Sequence, residues 1–272
     1  MEANLMRSVI MNCVRDDNDL PAAYRWLFKY HVNESISQFA PYVNKYATYR
    51  ALPLPPNGEE VGTYNWIMTE HYWLINPFDR DMKNHYGLAF NEYWGKDFHA
   101  MTNQAPSKLG RNPDWQGTKD GYHPIVFCFV PIFWEEDYRK TLRNHEDGPN
   151  YRWMIVHKYP EGVSQEEGDD WFLNSFMPEI CDNPEVNIFL TSKVLDVPRT
   201  GPFQRVTEVW FDDSRAWHKV VVEKADKYTK PAWATHGVFP YLAPYEDLCS
   251  IFLMDRPESD HLRQFHGYIT CR

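Results

Sequence analysis

The sequence predicts an α+β fold in which one structural unit occurs twice along the chain. The first observation is a pattern, Pro-x-Val-Asn-x-aromatic-x-Thr-x-cation, that is shared by residues 41–50 and 184–193. The second is that matches continue in the same order on both sides, where Trp26 corresponds to Trp171 and "MTEHYW" to "VTEVWF". The offset between the copies changes only at expected turns, where insertions are tolerated. A tandem repeat explains these matches.

Each copy is predicted to begin with a strand and then a helix. Residues 8–14 and 153–159 are short, apolar and rich in β-forming residues. Asp19 and Ser164 stand where the following helices need N-caps. These helices are expected over 19–34 and 164–179.

The remaining elements complete a β–α–β–β–α–β unit. A second helix is expected at about 213–226 in the second copy. Pro131 indicates an edge strand or a bulge in the last strand of the first copy. The other strands are expected at 41–50, 68–73 and 124–134 in the first copy, and at 184–193, 206–211 and within 237–253 in the second.

This order of elements is that of the ferredoxin-like fold. Its antiparallel sheet carries helices on one face, so the other face must also be covered. Two fused ferredoxin-like repeats can pack their open faces together as an intramolecular dimeric α/β-barrel. We expect an N-terminal repeat over 1–135 with an insertion at about 78–122, a linker over 136–151, and a C-terminal repeat over 152–272 ending in a short helix and tail.

Composition and charge narrow the expected partners and location. The chain has 272 residues and a net charge of −10, without a clustered basic run, so neither nucleic acid nor an anionic membrane surface is an expected partner. Five widely spaced cysteines favour a reducing compartment. No leader and no apolar run of about 18 residues is visible. We expect a cytoplasmic protein, either a monomer or a homodimer.

Beyond its fold, the chain resembles the EthD-like members of the dimeric α/β-barrel superfamily. That resemblance rests on an aromatic-Trp-x-x-x-x-His helix, a Pro-x-apolar-x-x-Tyr strand and a "TEVWFDD"-type strand end, over roughly residues 8–75 and 152–223. The second copy has Phe176 where the first has His31. The resemblance implies binding of small, often aromatic molecules, and its relatives include cofactor-free isomerases, dehydratases, lyases and monooxygenases as well as haem enzymes.

No motif in the sequence specifies a reaction. Nucleotide-binding loops, the G-x-S-x-G elbow and H-E-x-x-H are all missing, which leaves acid–base catalysis by side chains. We therefore expect a cofactor-independent isomerase, lyase or ester hydrolase that acts on a small anionic aromatic compound or ring-cleavage product in aromatic catabolism. One alternative is a haem enzyme on the same fold, with His31, His99 or His123 as axial ligand. A non-catalytic small-molecule binding protein is the other.

Three histidines are candidate catalytic residues. His157 alternates with Trp153 and Ile155 on one face of its strand, which favours a cavity wall, although a core histidine is equally compatible. His31 is singled out by the resemblance, and packing at the helix end is its alternative. His71 corresponds to Val209 in the second copy, so it is also a histidine that only one copy has.

Candidate substrate-binding residues are one cation and several rings. Arg50 could hold a carboxylate through two hydrogen bonds, unless it lies at a solvated strand end. The rings that could stack on a planar substrate, or form ordinary core, are Tyr64, Trp66, Trp153 and Trp210. The matched pair Glu70 and Glu208 favours a shared structural role, such as holding a helix end or an arginine, over catalysis in one site. No metal site is expected.

Overall fold

The structure is a computed structural model that describes residues 6–12, 21, 24–25, 27–64, 66–74, 125–141, 148–195 and 203–262. The insertion expected at 78–122 lies outside these residues, as do His99 and His123. Two five-stranded antiparallel sheets form the described part of the chain.

Four strands of each sheet come from one repeat. The first sheet contains β1 (Met6–Asn12), β2 (Val43–Arg50), β3 (Ile67–Trp73) and β4 (Ile125–Pro131). A short strand, β5 (Glu136–Arg139), follows β4. The second sheet contains β6 (Tyr151–His157), β7 (Val186–Lys193), β8 (Arg205–Phe211) and β9 (Leu248–Met254). The last strand is β10 (Ser259–Asp260).

The two sheets have the same strand order. The first is β10-β2-β3-β1-β4 and the second is β5-β7-β8-β6-β9. Both have a register shift at the start of the second strand of the repeat, between Val43 and Lys45 and between Val186 and Ile188. The expected fold class, two fused ferredoxin-like repeats in a dimeric α/β-barrel, is confirmed. Pro131 ends β4, which is an edge strand.

The helices match between the repeats in an unusual detail. A π-helical turn, Leu27–His31, leads into α1 (Val32–Phe39) in the first repeat. In the second repeat α2 (Gln165–Trp171) passes through a π-helical turn, Phe172–Phe176, into α3 (Met177–Cys181). Later in this repeat comes α4 (Ser214–Val221). None of the helices in the described ranges is both long and apolar enough to cross a membrane.

Each repeat gives its last short strand to the sheet of the other. β5 lies within the segment predicted as a linker and pairs with β7. β10 lies where a short helix was predicted and pairs with β2, where the His261 amide also donates to the Tyr46 carbonyl oxygen at 2.7 Å. Both strands cover an edge that would otherwise leave backbone groups unpaired, and this long-range pairing overrides local helix preference.

Side-chain alternation separates two environments. Arg7, Val9 and Met11 of β1 face the second sheet, while Met6 and Ser8 face the helices, since successive side chains of a strand point to opposite faces. One end of the inter-sheet space is filled by apolar side chains of both repeats. Its other end carries charged residues around a cavity.

Gly168 of α2 is required by the close approach of a ring. A Cβ at this position would lie 2.3 Å from Cγ of Tyr159, whose hydroxyl donates to Asp169 at 2.7 Å. We expect Gly168→Ala to lower the free energy of unfolding by about 1–3 kcal/mol, because overpacking outweighs the roughly 1 kcal/mol gain in helix propensity. Urea titration measures it. Gly237→Ala, where a Cβ meets nothing within 4 Å, is the control, and an equal effect in both variants would contradict the explanation.

Candidate functional site

A group of polar side chains lies between the first sheet and its helix. We call it the histidine cluster, and it consists of Ser8, His31, Tyr46, His71, Trp73 and His261. Its members come from β1, the π-helical turn, β2, β3 and the segment after β10. The fold thus brings together residues that are far apart in the sequence.

His71 is held in place at the centre of this cluster. The indole nitrogen of Trp73 donates to Ser8 Oγ at 3.1 Å, and Ser8 Oγ lies 2.9 Å from His71 Nδ1. This leaves the Ser8 hydroxyl hydrogen to point at Nδ1, which favours the tautomer of His71 with its hydrogen on Nε2. The ring of Tyr46 packs against His71 with 4.3 Å between centroids.

Burial keeps His71 neutral. Burial, and then the neighbouring His31, lower the pKa of His71 to about 3. The pKa of His261 is also lowered by burial, and its Nε2 lies 3.2 Å from Thr48 Oγ1. His31 and His261 are both half-buried, whereas His71 is buried, and His31 is the one that lies at the end of the π-helical turn.

The second repeat has no equivalent of this polar lining among its described residues. Positions that correspond to Ser8, His31, Tyr46, His71 and Trp73 are filled by apolar side chains. They are Trp153, Phe176, Phe189, Val209 and Phe211, and all are buried in the helix-covered core. Divergence of the two halves therefore leaves polar side chains at these five positions only in the first repeat.

A second group of polar residues lies between the sheets. Arg7 and Arg152 occupy equivalent positions on β1 and β6, and Glu70 and Glu208 do so on β3 and β8. Arg7 Nε lies 2.7 Å from a Glu70 oxygen, its Nη2 contacts Glu208, and Arg152 Nε lies 2.6 Å from Glu208. All four side chains are almost completely buried. The matched glutamates thus hold arginines, as their matching suggested.

These four residues form the floor of an inter-sheet cavity of about 330 Å³. Trp210 lines it and donates from Nε1 to Glu208 at 3.2 Å, so this predicted residue does face a cavity. Further lining residues include Lys45, Tyr49, Tyr72, Trp134, Arg139, Asn150 and Asp255.

His157 does not line the inter-sheet cavity, which corrects its expected location. The face that it shares with Trp153 packs against the helices, and its ring lies 4.7 Å from that of Phe172. Neither ring nitrogen has a hydrogen-bond partner among the described residues. Burial, and then the nearby Arg205, lower its pKa to about 3. The alternation of side chains along β6 was predicted correctly. The face that meets the other repeat is, however, the one with Met154 and Val156, not the one with His157.

We expect His157→Phe to become relatively more stable in acid. The folded pKa of about 3 lies below the unfolded value of about 6.5, so the unfolded state binds the extra proton and stability falls as the pH drops below 6.5. Between pH 8 and pH 5 this histidine costs about 2 kcal/mol, which the variant should not lose. Urea titrations of both proteins at the two pH values measure it. An unchanged difference at both pH values would contradict the neutral buried state.

The other predicted binding residues also lie away from the inter-sheet cavity. Arg50 is exposed and bound to Glu258 at 2.7 Å, and it lies on the same face of β2 as Tyr46, where it stacks on Tyr24, rather than on the inter-sheet face. Trp66 packs on the helix side against Tyr24, and Trp153 packs against Trp217. Tyr64 is buried in the apolar end of the inter-sheet space.

Sequence reasoning missed the residues that carry most of the buried charge. Arg7 and Arg152 directly precede the predicted strands 8–14 and 153–159, and they are separated by the same number of residues as Trp26 and Trp171. Extending the match by one residue would therefore have found them. Lys45 has Ile188 as its counterpart, and this loss of symmetry was the signal for it. Within the described ranges no three His, Cys, Asp or Glu residues are grouped so that they could hold a metal ion.

One sequence family matches part of the chain. It is the chalcone isomerase N-terminal domain, which matches residues 3–107, about two fifths of the chain. The matched segment includes β1, the π-helical turn, β2 and β3, which supply the histidine cluster except for His261. No curated protein matches the chain.

Solved structures share the fold at low sequence identity. An anthrone oxidase-like protein is 10% identical with a TM-score of 0.51, over 93% of this chain and 92% of that one. A chlorite dismutase from Candidatus Nitrospira defluvii is 9% identical with a TM-score of 0.42, over 98% and 97%. An EthD family protein from Bacillus halodurans covers only 27% of this chain and 72% of its own, at 15% identity and a TM-score of 0.24. The chain thus has the dimeric α/β-barrel fold, while the EthD-like assignment stays a prediction.

Proposed function

We propose that the protein is a cofactor-independent acid–base isomerase that acts at the histidine cluster on a small aromatic enone of the hydroxychalcone class. The observation that supports it most is the position of His31 and His71 within the segment that matches the chalcone isomerase N-terminal domain. Of the three reaction classes expected from the sequence, this match favours isomerisation.

The reaction combines proton transfer with the closure of one C–O bond and needs no oxidant or reductant. A 2′-hydroxychalcone carries a phenol and an α,β-unsaturated ketone. In the isomerisation the phenol loses its proton and its oxygen bonds to the β-carbon, the π bond between the α- and β-carbons breaks to give an enolate, and the α-carbon gains a proton, so all atoms of the substrate are retained. A base and an acid near neutral pKa are sufficient, and histidine supplies both. The phenolate is then the anionic form of the substrate, in place of the carboxylate that Arg50 was expected to bind.

The chain offers different roles to the two histidines. His31 is half-buried at the end of the π-helical turn, so it can take the phenol proton and return one to the α-carbon. His71 is neutral, held by Ser8, and presents Nε2–H as a donor to a developing enolate oxygen. Tyr46 and Trp73 pack against the ring of His71 and hold it in position. These assignments make the first repeat the catalytic one.

Turnover of the purified protein tests this function. We expect saturable loss of the conjugated-enone absorbance of 2′-hydroxychalcone, without added cofactor and without a Soret band in the protein spectrum. In D₂O the product should carry one deuterium at the α-carbon. Failure to accelerate a panel of hydroxychalcones above the rate without protein would refute the proposal, and a Soret band whose removal abolishes activity would favour the haem alternative.

A further inference from the structure

We propose that the inter-sheet cavity is a second binding site, separate from the histidine cluster, and that it takes a planar aromatic monocarboxylate. This second site does not depend on the proposed isomerase activity. Arg7, Arg152 and Lys45 surround the cavity together with Glu70 and Glu208.

The charges at the floor of the cavity have a local positive excess at Lys45. The two buried arginines balance the two buried glutamates, and the partly exposed Lys45 adds one positive charge, with its Nζ 3.0 Å from Glu70 and 2.9 Å from the Tyr49 hydroxyl. At the rim Arg139 is paired with Asp137, while Asp255 carries a negative charge that its neutral partner Asn150 does not offset. An anion placed beside Lys45 therefore meets the net positive charge of these five floor residues, which Asp255 at the rim reduces.

The positive charge of Lys45 is not offset by a change in the protonation of Glu70, Tyr49 or Tyr72 near neutral pH. Burial alone would raise the pKa of Glu70, but Arg7, Lys45 and Arg152 hold it well below its usual value, so the charge of Glu70 is already present. Burial and then the charge of Glu70 raise the pKa of Tyr72 to about 12, and the same causes raise that of Tyr49. Both phenols stay neutral.

Arg7 also keeps one donor available. Its side chain is 1% exposed, its Nε and Nη2 engage the two glutamates, and Nη1 has no hydrogen-bond partner among the described residues. Buried guanidinium nitrogens are normally satisfied, because leaving one unpaired is costly. A carboxylate oxygen is the acceptor that suits this donor best.

The walls of the cavity select for a flat group. The ring of Trp134 lies 4.7 Å from the guanidinium carbon of Arg7, and Tyr49, Tyr72 and Trp210 complete an aromatic lining. A volume of about 330 Å³ is at the lower end for ligand pockets, which suits one ring with a carboxylate.

The break in symmetry at Lys45 favours binding over a purely structural role. If the network only aligned the two sheets, residues that are equivalent in the two repeats would be sufficient. Arg7 with Arg152 and Glu70 with Glu208 already supply such residues. Lys45 and its neighbour Tyr49 correspond instead to Ile188 and Ser192. The extra cation of Lys45 and the extra aromatic ring of Tyr49 therefore add recognition to an otherwise symmetric network.

Benzoate titrated into the full-length protein, followed by calorimetry and tryptophan fluorescence, tests the site. We expect one saturable site, no binding of benzamide, and a Kd raised by about 10–100-fold in Lys45→Met, which should fold because Lys45 is partly exposed. The His31→Gln variant should bind benzoate as the wild type does. The proposal is overturned if benzoate does not saturate the wild type, if Lys45→Met binds it equally well, or if His31→Gln abolishes the binding.

Discussion

Replacement of His31 by glutamine is expected to lower kcat for hydroxychalcone isomerisation by about 10²–10⁴-fold, the usual contribution of a positioned general acid–base group. Glutamine retains polarity and approximate size but cannot transfer the proton. His31 is half-buried, so the substitution should leave the fold intact. Initial rates at saturating substrate, together with a urea titration of the variant, measure the effect and separate it from unfolding.

Two other variants make this result specific. His218→Gln, on the partly exposed face of α4, should keep wild-type kcat. His71→Gln should also reduce kcat but need not abolish it, since an amide can still donate to an oxygen anion. Retention of more than a tenth of wild-type kcat by His31→Gln would assign the proton transfer to another group.

The tandem match predicted the fold well, because it compares positions rather than propensities. The matches of Val43 with Val186 and of Glu70 with Glu208 require only that both copies have the same strand order. The structure confirms this shared order. The match contained no information on pairing between the repeats. The strand within 136–151 and the one at 259–260 were missed for this reason.

The candidate site was predictable only in part. The alternation of side chains along a strand shows which residues share a face, but it does not show whether that face packs against the helices or against the other sheet. Glu70 and His71 are consecutive on β3 and so point to opposite faces, and the structure places Glu70 in the inter-sheet cavity and His71 beneath the helix. Assigning the faces of β6 required the whole barrel, and His157 was placed on the wrong one. His261 joins the cluster only through the pairing of β10, which no local pattern reveals.

Arg152→Met is expected to lower the free energy of unfolding by about 3–5 kcal/mol, because it removes one of the two cations that bind the buried Glu208 carboxylate and leaves Arg7 shared between two glutamates. Arg152 Nε lies 2.6 Å from Glu208, and both side chains are at most 4% exposed. Methionine fills a similar volume, so the cost arises from the uncompensated charge more than from a cavity. Arg139→Met, which breaks an exposed pair with Asp137, is the control and should cost no more than about 1 kcal/mol.

The double variant Arg152→Met with Glu208→Leu distinguishes lost charge balance from lost packing. Replacing both partners with apolar groups removes the buried carboxylate, so it should recover much of the stability lost in the single variant. Recovery will be incomplete, because Arg7 also binds Glu208 and is then left with Glu70 alone. Urea titrations of the single and double variants give the coupling energy. If the double variant is no more stable than Arg152→Met, the network acts through packing rather than through charge.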